Sequence, residues 1–382
     1  MGEGRRGTED GQQKRPTLNV ERRISKSEGK MNQEGRKAER KRTTNCADFI
    51  SFHPGYGSAE IMTQRIRGVL APVVTPFKAD FSPDGQRFIA HCKWLLSQNC
   101  GLVPFGTTSE ANSLSTDERA MLLDALVAAG IDPVRMMPGT GCCSITETVK
   151  LTAQAVRHGC AGVLMLPPFY YKRVSDEGLF RYFGEVVQRV GDARLKIYLY
   201  HIPPVAVVGI TTGLVERLLA AYPDAIAGMK DSSGDWNNTK TFLDAFNGFD
   251  VFVGSESFLL ENLRNGGAGT ISATANVNPA AIHKLYVESG KLKTESGKRK
   301  TEITDHELER LQAKLNVVRE TFAKYPMISA LKEGIAMYAN DPAWRTVRPP
   351  LVELTPEQAK SLAAELEAIG FAMKRGKLKT DI

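Results

Sequence analysis

The sequence contains the stretch Ala225-Ile226-Ala227-Gly228-Met229-Lys230-Asp231-Ser232-Ser233-Gly234, a short apolar run that ends in a lysine and a turn. An apolar run of this length is typical of a strand buried on both faces in a parallel sheet. Lys230 would lie at the mouth of that strand. Many lysines there simply reach solvent, but burial disfavours the ammonium form, and the neutral amine is the species that forms Schiff bases. The stretch therefore predicts a parallel sheet and a candidate nucleophile at its edge.

The same pattern recurs along the chain, because short apolar runs alternate with longer amphipathic stretches about eight times after residue 68. The predicted strands are 69–74, 101–104, 135–138, 162–166, 196–200, 225–229, 251–253 and 269–273. The predicted intervening helices include 84–97, 116–129 and 145–157, the first two after the start signals Ser82-Pro83 and Ser115. Eight such units predict the α/β class and a closed (β/α)8 TIM barrel. A doubly wound open sheet is the alternative, although the glycine fingerprints of the nucleotide-binding folds are absent from the sequence.

Regions outside the barrel differ from it in composition. Residues 1–61 are polar and aperiodic, which predicts a disordered N-terminal tail before a barrel at 62–287. A lysine-rich stretch at 288–304 predicts an exposed polar insertion. We expect a C-terminal helical extension over 305–370, with helices at 307–322, 329–339 and 356–369, and a tail at 371–382.

Charge and composition limit the classes of function. The net charge of +7 comes from residues 1–61 and 291–302, and the rest of the chain is neutral, so we expect no nucleic-acid partner. No apolar run approaches the roughly 18 residues of a membrane span, and the start of the sequence lacks the apolar core of a signal peptide. We expect no membrane association and a cytoplasmic location. The six cysteines and six histidines show no metal-ligand spacing, so we expect no metal.

Polar side chains cluster where four of the predicted strands end. They lie in the segments 106–110, 167–171 and 198–203 and at Lys230. In a parallel barrel the carboxyl ends of all strands meet at one rim, which carries the active site. The sequence therefore predicts a site at that rim.

Four motifs give the chain a resemblance to a known enzyme family. They are Gly106-Thr107-Thr108-Ser109-Glu110, Tyr200-His201-Ile202-Pro203, Lys230-Asp231-Ser232-Ser233-Gly234 and Gly267-Ala268-Gly269-Thr270-Ile271-Ser272-Ala273-Thr274-Ala275-Asn276. With them, residues from about 67 to 370 resemble the dihydrodipicolinate synthase and N-acetylneuraminate lyase family. The resemblance implies a class I aldolase-type barrel, usually a homotetramer, without a cofactor. Such an enzyme condenses pyruvate with an aldehyde or cleaves a 2-keto acid to pyruvate and an aldehyde.

The resemblance also implies roles for single residues. Lys230 would form the imine with pyruvate, and Tyr200 would be the general acid and base. Thr107 and Thr108, with the amides of the Gly106 loop, would hold the pyruvate carboxylate, and Thr108 would extend the proton relay. Ile271 would line the pocket. A tyrosine after the fourth strand would reach the neighbouring subunit, for which we choose Tyr170 and keep Tyr171 in reserve.

Departures from the family pattern bear on the second substrate. Val205 stands where 4-hydroxy-tetrahydrodipicolinate synthases of lysine biosynthesis have an arginine, so that activity becomes the disfavoured alternative. Gly254 and Glu256 stand where sugar-acid lyases bind hydroxyl groups. Glu256 would then accept hydrogen bonds from a polyol tail, or instead cap the following helix.

Two other functions stay open from the sequence. A phosphate-binding barrel enzyme would use Gly254-Ser255 and the stretch 266–269 as a phosphate cradle. A pyruvate-sensing protein without catalysis would keep the scaffold but lack an intact relay. Lys230, Tyr200 and Thr108 are all present, which favours the enzyme.

Overall fold

The computed structural model describes residues 65–291 and 303–373. Within them the chain forms seven parallel strands and twelve α-helices. The strands are β1 Gly68–Ala71, β2 Gly101–Leu102, β3 Val163–Met165, β4 Ile197–His201, β5 Ile226–Asp231, β6 Asp250–Val253 and β7 Gly269–Ile271. The helices are α1 Gly85–Ser97, α2 Thr116–Ala128, α3 Ile145–His158, α4 Asp176–Val190, α5 Pro203–Ala206, α6 Thr212–Ala221, α7 Trp236–Ala245, α8 Leu259–Arg264, α9 Pro279–Lys291, α10 Asp305–Ala323, α11 Met327–Ala339 and α12 Pro356–Ala368.

The strands are ordered β2-β1-β7-β6-β5-β4-β3, and the segment 136–140 joins the two outer ones. Met136 bridges to Leu102 of β2, and Gly139 bridges to Leu164 of β3. This segment occupies the eighth position of the predicted TIM barrel. The prediction of a regular strand at 135–138 is wrong, because Arg135 ends a 3-10 turn and Pro138 has no N–H to donate to a ladder.

Local signals explain where the helices begin. The side chain of Asp84 accepts the amide of Arg87 at the start of α1, and Ser115 forms a capping box with Glu118 at the start of α2. Each cap satisfies an amide that the first helical turn leaves free. The predicted starts at 84 and 116 therefore agree with the structure to within one residue.

Two apolar clusters hold the barrel together. The larger lies between the strands and the surrounding helices. The smaller fills the barrel interior and includes Tyr198, Phe252 and Ile271, all fully buried. Tyr198 and Phe252 meet edge to face, with ring centroids 5.8 Å apart. This packed interior leaves the carboxyl rim as the place for a cavity.

The C-terminal helices α10, α11 and α12 form the predicted helical extension. The predicted tail at 371–382 begins with packed residues, since Phe371 meets the rings of Phe322 and Tyr338 and Met373 is buried. Helix α9 continues to Lys291, inside the predicted insertion at 288–304. The predicted N-terminal tail at 1–61, most of that insertion and residues 374–382 lie outside the described residues.

Candidate active site

Lys230 lies near the carboxyl end of β5, where its side chain is only 4% exposed. The register of the sheet pairs it with Tyr200 of β4 on one side and with Phe252 of β6 on the other. Because these strands run parallel, the register alone brings the lysine and the tyrosine to the same level of the barrel rim. The predicted juxtaposition therefore follows from backbone pairing.

Tyr200 contacts Lys230 directly. The Nζ of Lys230 donates a hydrogen bond to the phenol oxygen at 3.1 Å and lies 4.3 Å from the ring centroid. The same phenol oxygen is 3.3 Å from the hydroxyl of Thr107. Tyr200 is 3% exposed, so this chain of amine, phenol and hydroxyl is largely shielded from bulk water. Such a chain can pass protons between a reacting carbonyl group and the protein.

The loop 106–110 carries Thr107 and Thr108 and is fixed from several sides. The amide of Gly106 donates to the hydroxyl of Ser109 at 3.2 Å, and the hydroxyl of Thr75 donates to the carbonyl of Ser109 at 2.7 Å. Glu110 ends the loop in the left-handed region, with φ of 57°. Its buried carboxylate binds the ammonium group of Lys332 in α11. These contacts hold both threonines at the rim before any ligand binds.

A cavity of about 460 Å³ opens above Lys230. Its inner wall holds the polar side chains of Thr107, Thr108, Tyr200, Lys230 and Ser232. Its outer wall is mainly apolar and comes from α5, the turn before α8 and the C-terminal helices. Members of that outer wall are Pro204, Val205, Phe258, Pro326, Met327, Ile328 and Leu351.

Six residues predicted for the site line this cavity or the void beside it. Thr107, Thr108, Tyr200 and Lys230 line the cavity, and Gly106 borders a small adjoining void. Gly254, also predicted, lines the cavity as well. A Cβ on Gly254 would come within 2.0 Å of the hydroxyl oxygen of Ser232, so the wall has room only for glycine there.

Glu256 lies behind the cavity wall and not on it. It is fully buried, and its carboxylate accepts hydrogen bonds from the hydroxyls of Ser272 and Thr274. The Nη1 of Arg319 is 3.4 Å from the same carboxylate. These protein groups make the contacts with the carboxylate that were expected from the hydroxyl groups of a polyol substrate. They therefore favour a structural role for Glu256 over a ligand-binding one.

Neither Ile271 nor Tyr170 lies on the wall of the cavity. Ile271 is fully buried in the inner barrel cluster, below the cavity. Tyr170 is 73% exposed and Tyr171 is 71% exposed, and their rings contact each other edge to face at 5.4 Å. Within the described residues of this chain, neither tyrosine reaches the cavity.

His201 follows Tyr200 and is uncharged in this environment. Its Nδ1 accepts the amide of Ile210 at 2.9 Å, which requires an unprotonated nitrogen. Burial lowers the pKa of His201, and the nearby carboxylate of Asp231 partly opposes that effect. His201 therefore fixes the segment after β4, where α5 enters the outer wall.

Arg319 was not predicted from the sequence, although it lines the cavity from α10. Pro326 reaches the cavity from the turn between α10 and α11, and Met327 and Ile328 reach it from the first turn of α11. Their sequence pattern predicts only helices, because the contact with the barrel rim joins segments about 100 residues apart. No local signal could have identified them.

The position of the glycines does not fit a phosphate cradle. The stretch 266–269 precedes β7, with the amide of Ala268 bound to the carbonyl of Val251 at the beginning of β6. It therefore lies at the amino ends of the strands, opposite Lys230. The prediction that this stretch and Gly254-Ser255 form one phosphate site is wrong for that reason.

The described residues contain no group of three or more His, Cys, Asp or Glu side chains that could hold a metal ion. Within residues 65–291 and 303–373, every helix is too short or too polar to span a lipid bilayer.

Comparison with protein families gives a match over nearly all of the described chain. The model of the dihydrodipicolinate synthetase family matches residues 65–369. An uncharacterized DapA-like lyase of Chloroflexus aurantiacus is 30% identical over 309 residues, which are 79% of this chain and 97% of that protein. A 4-hydroxy-tetrahydrodipicolinate synthase of Rhizobium meliloti is 33% identical over 215 residues, which are 56% of this chain and 71% of that protein.

Solved structures give the same result. A dihydrodipicolinate synthase from Agrobacterium tumefaciens superimposes with a TM-score of 0.70 at 32% identity, covering 81% of this chain and all of that one. A prophage protein of the dihydrodipicolinic acid synthase family from E. coli, solved in complex with pyruvate, has a TM-score of 0.71 at 25% identity. That match covers 80% of this chain and 99% of the other.

Proposed function

Because the chain belongs to the dihydrodipicolinate synthetase family, we propose that it is a lyase that forms a Schiff base between Lys230 and pyruvate. It either condenses pyruvate with an aldehyde or cleaves a 2-keto acid to pyruvate and an aldehyde. The observation that carries the proposal is the 3.1 Å contact between the Nζ of Lys230 and the phenol oxygen of Tyr200 at the floor of a cavity. The pyruvate complex of the E. coli family member supports the identity of the keto acid.

The first step is attack of the Lys230 amine on the keto carbon of pyruvate. The carbinolamine that results loses water to give the imine, and this needs a proton on the leaving hydroxyl oxygen. Tyr200 is the one acidic hydroxyl in contact with Nζ among the described residues, so it supplies and later recovers that proton. Thr107 takes part because its hydroxyl is 3.3 Å from the phenol oxygen.

The imine then acts as an electron sink. Loss of a proton from C3 gives an enamine, which attacks an aldehyde and forms a carbon–carbon bond. Run in reverse, the same steps cleave that bond and release the aldehyde first. Tyr200 is again the nearest group to exchange protons with the nascent alkoxide.

The pyruvate carboxylate needs hydrogen-bond donors at the inner wall. Among the described residues the backbone amides of Thr107 and Thr108 donate to no partner, while the Gly106 amide already donates to Ser109. Two free amides beside hydroxyl groups suit a carboxylate. We assign carboxylate binding to Thr107 and Thr108, with Gly106 setting the turn that presents them.

Tyr170 belongs to the proposal as a residue that acts across subunits. It is exposed and outside the cavity of its own chain, as expected of a side chain that completes the relay of a neighbour. We propose a homotetramer in which Tyr170, with Tyr171 in reserve, meets the site of the adjacent subunit. Light scattering of the purified protein, and turnover of Tyr170→Phe, test this part.

Borohydride tests the proposal as a whole. Incubation with pyruvate and borohydride reduces the imine and inactivates the enzyme irreversibly, whereas borohydride alone leaves it active. Treatment with pyruvate and borohydride that causes neither inactivation nor a mass change would refute the proposal. Trapping without turnover of any aldehyde or 2-keto acid would instead support the pyruvate-sensing protein.

Synthesis of 4-hydroxy-tetrahydrodipicolinate is the second candidate, because curated relatives such as the Rhizobium meliloti protein carry that name. Val205 lines the cavity from α5 and supplies no charge to the carboxylate of a dicarboxylate partner. A panel of aspartate semialdehyde, N-acetylmannosamine and short sugar aldehydes separates these activities.

A further inference from the structure

Arg319 brings a positive charge to the outer wall of the cavity. It lies on α10, and its side chain is 23% exposed. Together with Lys230 it is one of two cationic side chains on the described cavity lining. Since Lys230 is used by the imine in the proposed function, Arg319 is the cation that stays available to a bound adduct.

The guanidinium group of Arg319 has donors to spare. Only its Nη1 makes described contacts, at 3.4 Å to the carboxylate of Glu256 and 3.3 Å to the hydroxyl of Ser272. Both distances are long for a charge-assisted hydrogen bond, which is usually about 2.7–2.9 Å. An arginine carries five N–H donors, one on Nε and two on each of Nη1 and Nη2. Since both contacts use Nη1, the N–H groups of Nε and Nη2 have no partner among the described residues.

Glu256 does not depend on Arg319 for its hydrogen bonds. Its two carboxylate oxygens already accept the hydroxyls of Ser272 and Thr274. The carboxylate thus holds one edge of the guanidinium group, while the remaining N–H groups stay free for a ligand. A guanidinium group with two free parallel donors matches a carboxylate better than a single hydroxyl group.

We propose that Arg319 binds a terminal carboxylate on the aldehyde partner, so that the second substrate is an aldehyde acid. This inference rests on the proposed function, because it takes pyruvate to be held at Lys230. The partner's short carbon chain would pass the apolar side chains of Val205, Phe258 and Met327 between the two charged ends. Arg319 thereby supplies from α10 the cation that α5 lacks at Val205.

A pair of keto acids tests the proposal through binding alone. Both 2-oxoadipate and 2-oxohexanoate can form an imine with Lys230, but only 2-oxoadipate carries a second carboxylate at its far end. The measured quantity is the concentration of each that gives half-maximal borohydride trapping. For the wild-type enzyme we expect 2-oxoadipate to be trapped at concentrations roughly 10- to 100-fold lower than 2-oxohexanoate, the range of one charge-assisted contact.

Substitution of Arg319 locates the effect. In Arg319→Gln we expect this preference to disappear through weaker trapping of 2-oxoadipate, with trapping of pyruvate and 2-oxohexanoate unchanged. Arg319→Lys should retain part of the preference, because it keeps the charge and loses the paired donors. Arg310→Gln, an exposed arginine on the same helix, is the matched control and should behave as the wild type.

The outcomes separate the two proposals. No trapping of pyruvate by the wild type overturns the proposed function. Normal pyruvate trapping with equal trapping of both longer keto acids by the wild type overturns the role of Arg319, even if Arg319→Gln does not fold. A wild-type preference that survives in Arg319→Gln also overturns it.

Discussion

Two lysines are buried among the residues that the structure describes, and comparison of their surroundings shows why only one suits catalysis. Lys230 is 4% exposed and Lys332 is fully buried. Each Nζ lies over an aromatic ring, 4.3 Å from the centroid of Tyr200 and 4.5 Å from that of Phe77, respectively. Burial and an aromatic neighbour are therefore common to both.

The difference lies in the polar partners. Lys332 binds the carboxylate of Glu110 and donates to the carbonyl of Thr346 at 2.8 Å. Burial lowers the pKa of Lys332 to about 8, so at neutral pH its ammonium still pairs with Glu110. Lys230 instead has a phenol as its hydrogen-bond partner and faces an open cavity. A buried amine without a carboxylate partner, next to space for a carbonyl compound, is arranged for nucleophilic attack.

The largest effect is expected from Lys230→Ala, which removes the proposed nucleophile. Turnover should fall by a factor on the order of 10⁴ or more, since the remaining groups cannot form the imine. The measurement is kcat with the best aldehyde or 2-keto acid found in the panel. Lys284→Ala, an exposed lysine on α9, is the control and should retain full activity. Substantial turnover by Lys230→Ala would remove the distinction between the two buried lysines.

Tyr200→Phe sharpens the comparison by removing the phenol that distinguishes Lys230. It deletes the hydroxyl that contacts both Nζ and Thr107 and leaves the ring in place. Turnover should drop by roughly 10² to 10⁴, the range of general acid-base assistance. Trapping of pyruvate should still occur, but more slowly. If both rates equal those of the wild type, Tyr200 has no part in the proton transfers.

Lys332→Met tests the structural half of the comparison. It leaves Glu110 without its ammonium partner, and breaking a buried pair in this way costs about 3–5 kcal/mol. Denaturant unfolding measures the loss. Lys324→Met, which breaks an exposed ion pair with Glu365, should cost much less stability, because solvent screens exposed charges. Stability equal to the wild type in Lys332→Met would contradict the structural role of this lysine.

The smallest effect concerns pH and His201. Burial lowers the folded-state pKa of His201 below the usual value of about 6.5, so between these two values the unfolded chain binds more protons than the folded one. The free energy of unfolding should therefore fall as the pH drops below about 6.5. His201→Asn keeps an acceptor for the Ile210 amide and cannot titrate, so its loss over this range should be smaller. His283, whose pKa is also lowered by burial, stays in both proteins and cancels in the difference. Equal slopes would show that His201 does not titrate there.

The sequence predicted one of the two lysine sites and not the other, for a physical reason. Lys230 ends an apolar run of a parallel strand, and the register with β4 then requires Tyr200 beside it. The environment of Lys332 depends on Glu110, which lies 222 residues earlier in the chain. Nothing in the helical pattern of α11 indicates that partner. Sequence periodicity predicts the helices and strands, and therefore which strand ends lie at the rim of the barrel. Contacts between distant helices and loops depend on packing that no local pattern encodes.

The residues around the cavity also divide into those that the sequence predicted and those that it did not. Its inner wall comes from strand ends and the loop at 106–110, which the motifs identified. Part of its outer wall comes from α10, α11 and the turn that joins them, so Arg319 and Met327 were not predicted. Glu256 follows a barrel strand, as the sequence predicted, but no local pattern indicates that the hydroxyls of Ser272 and Thr274 donate to its carboxylate.

Peptide mapping after pyruvate and borohydride treatment shows which lysine forms the Schiff base. Both buried lysines are present in the same digest, so each is a control for the other. We expect one reduced pyruvyl group per chain, on Lys230, with Lys332 unmodified. An adduct on Lys332 or on surface lysines, with Lys230 unmodified, would contradict this expectation.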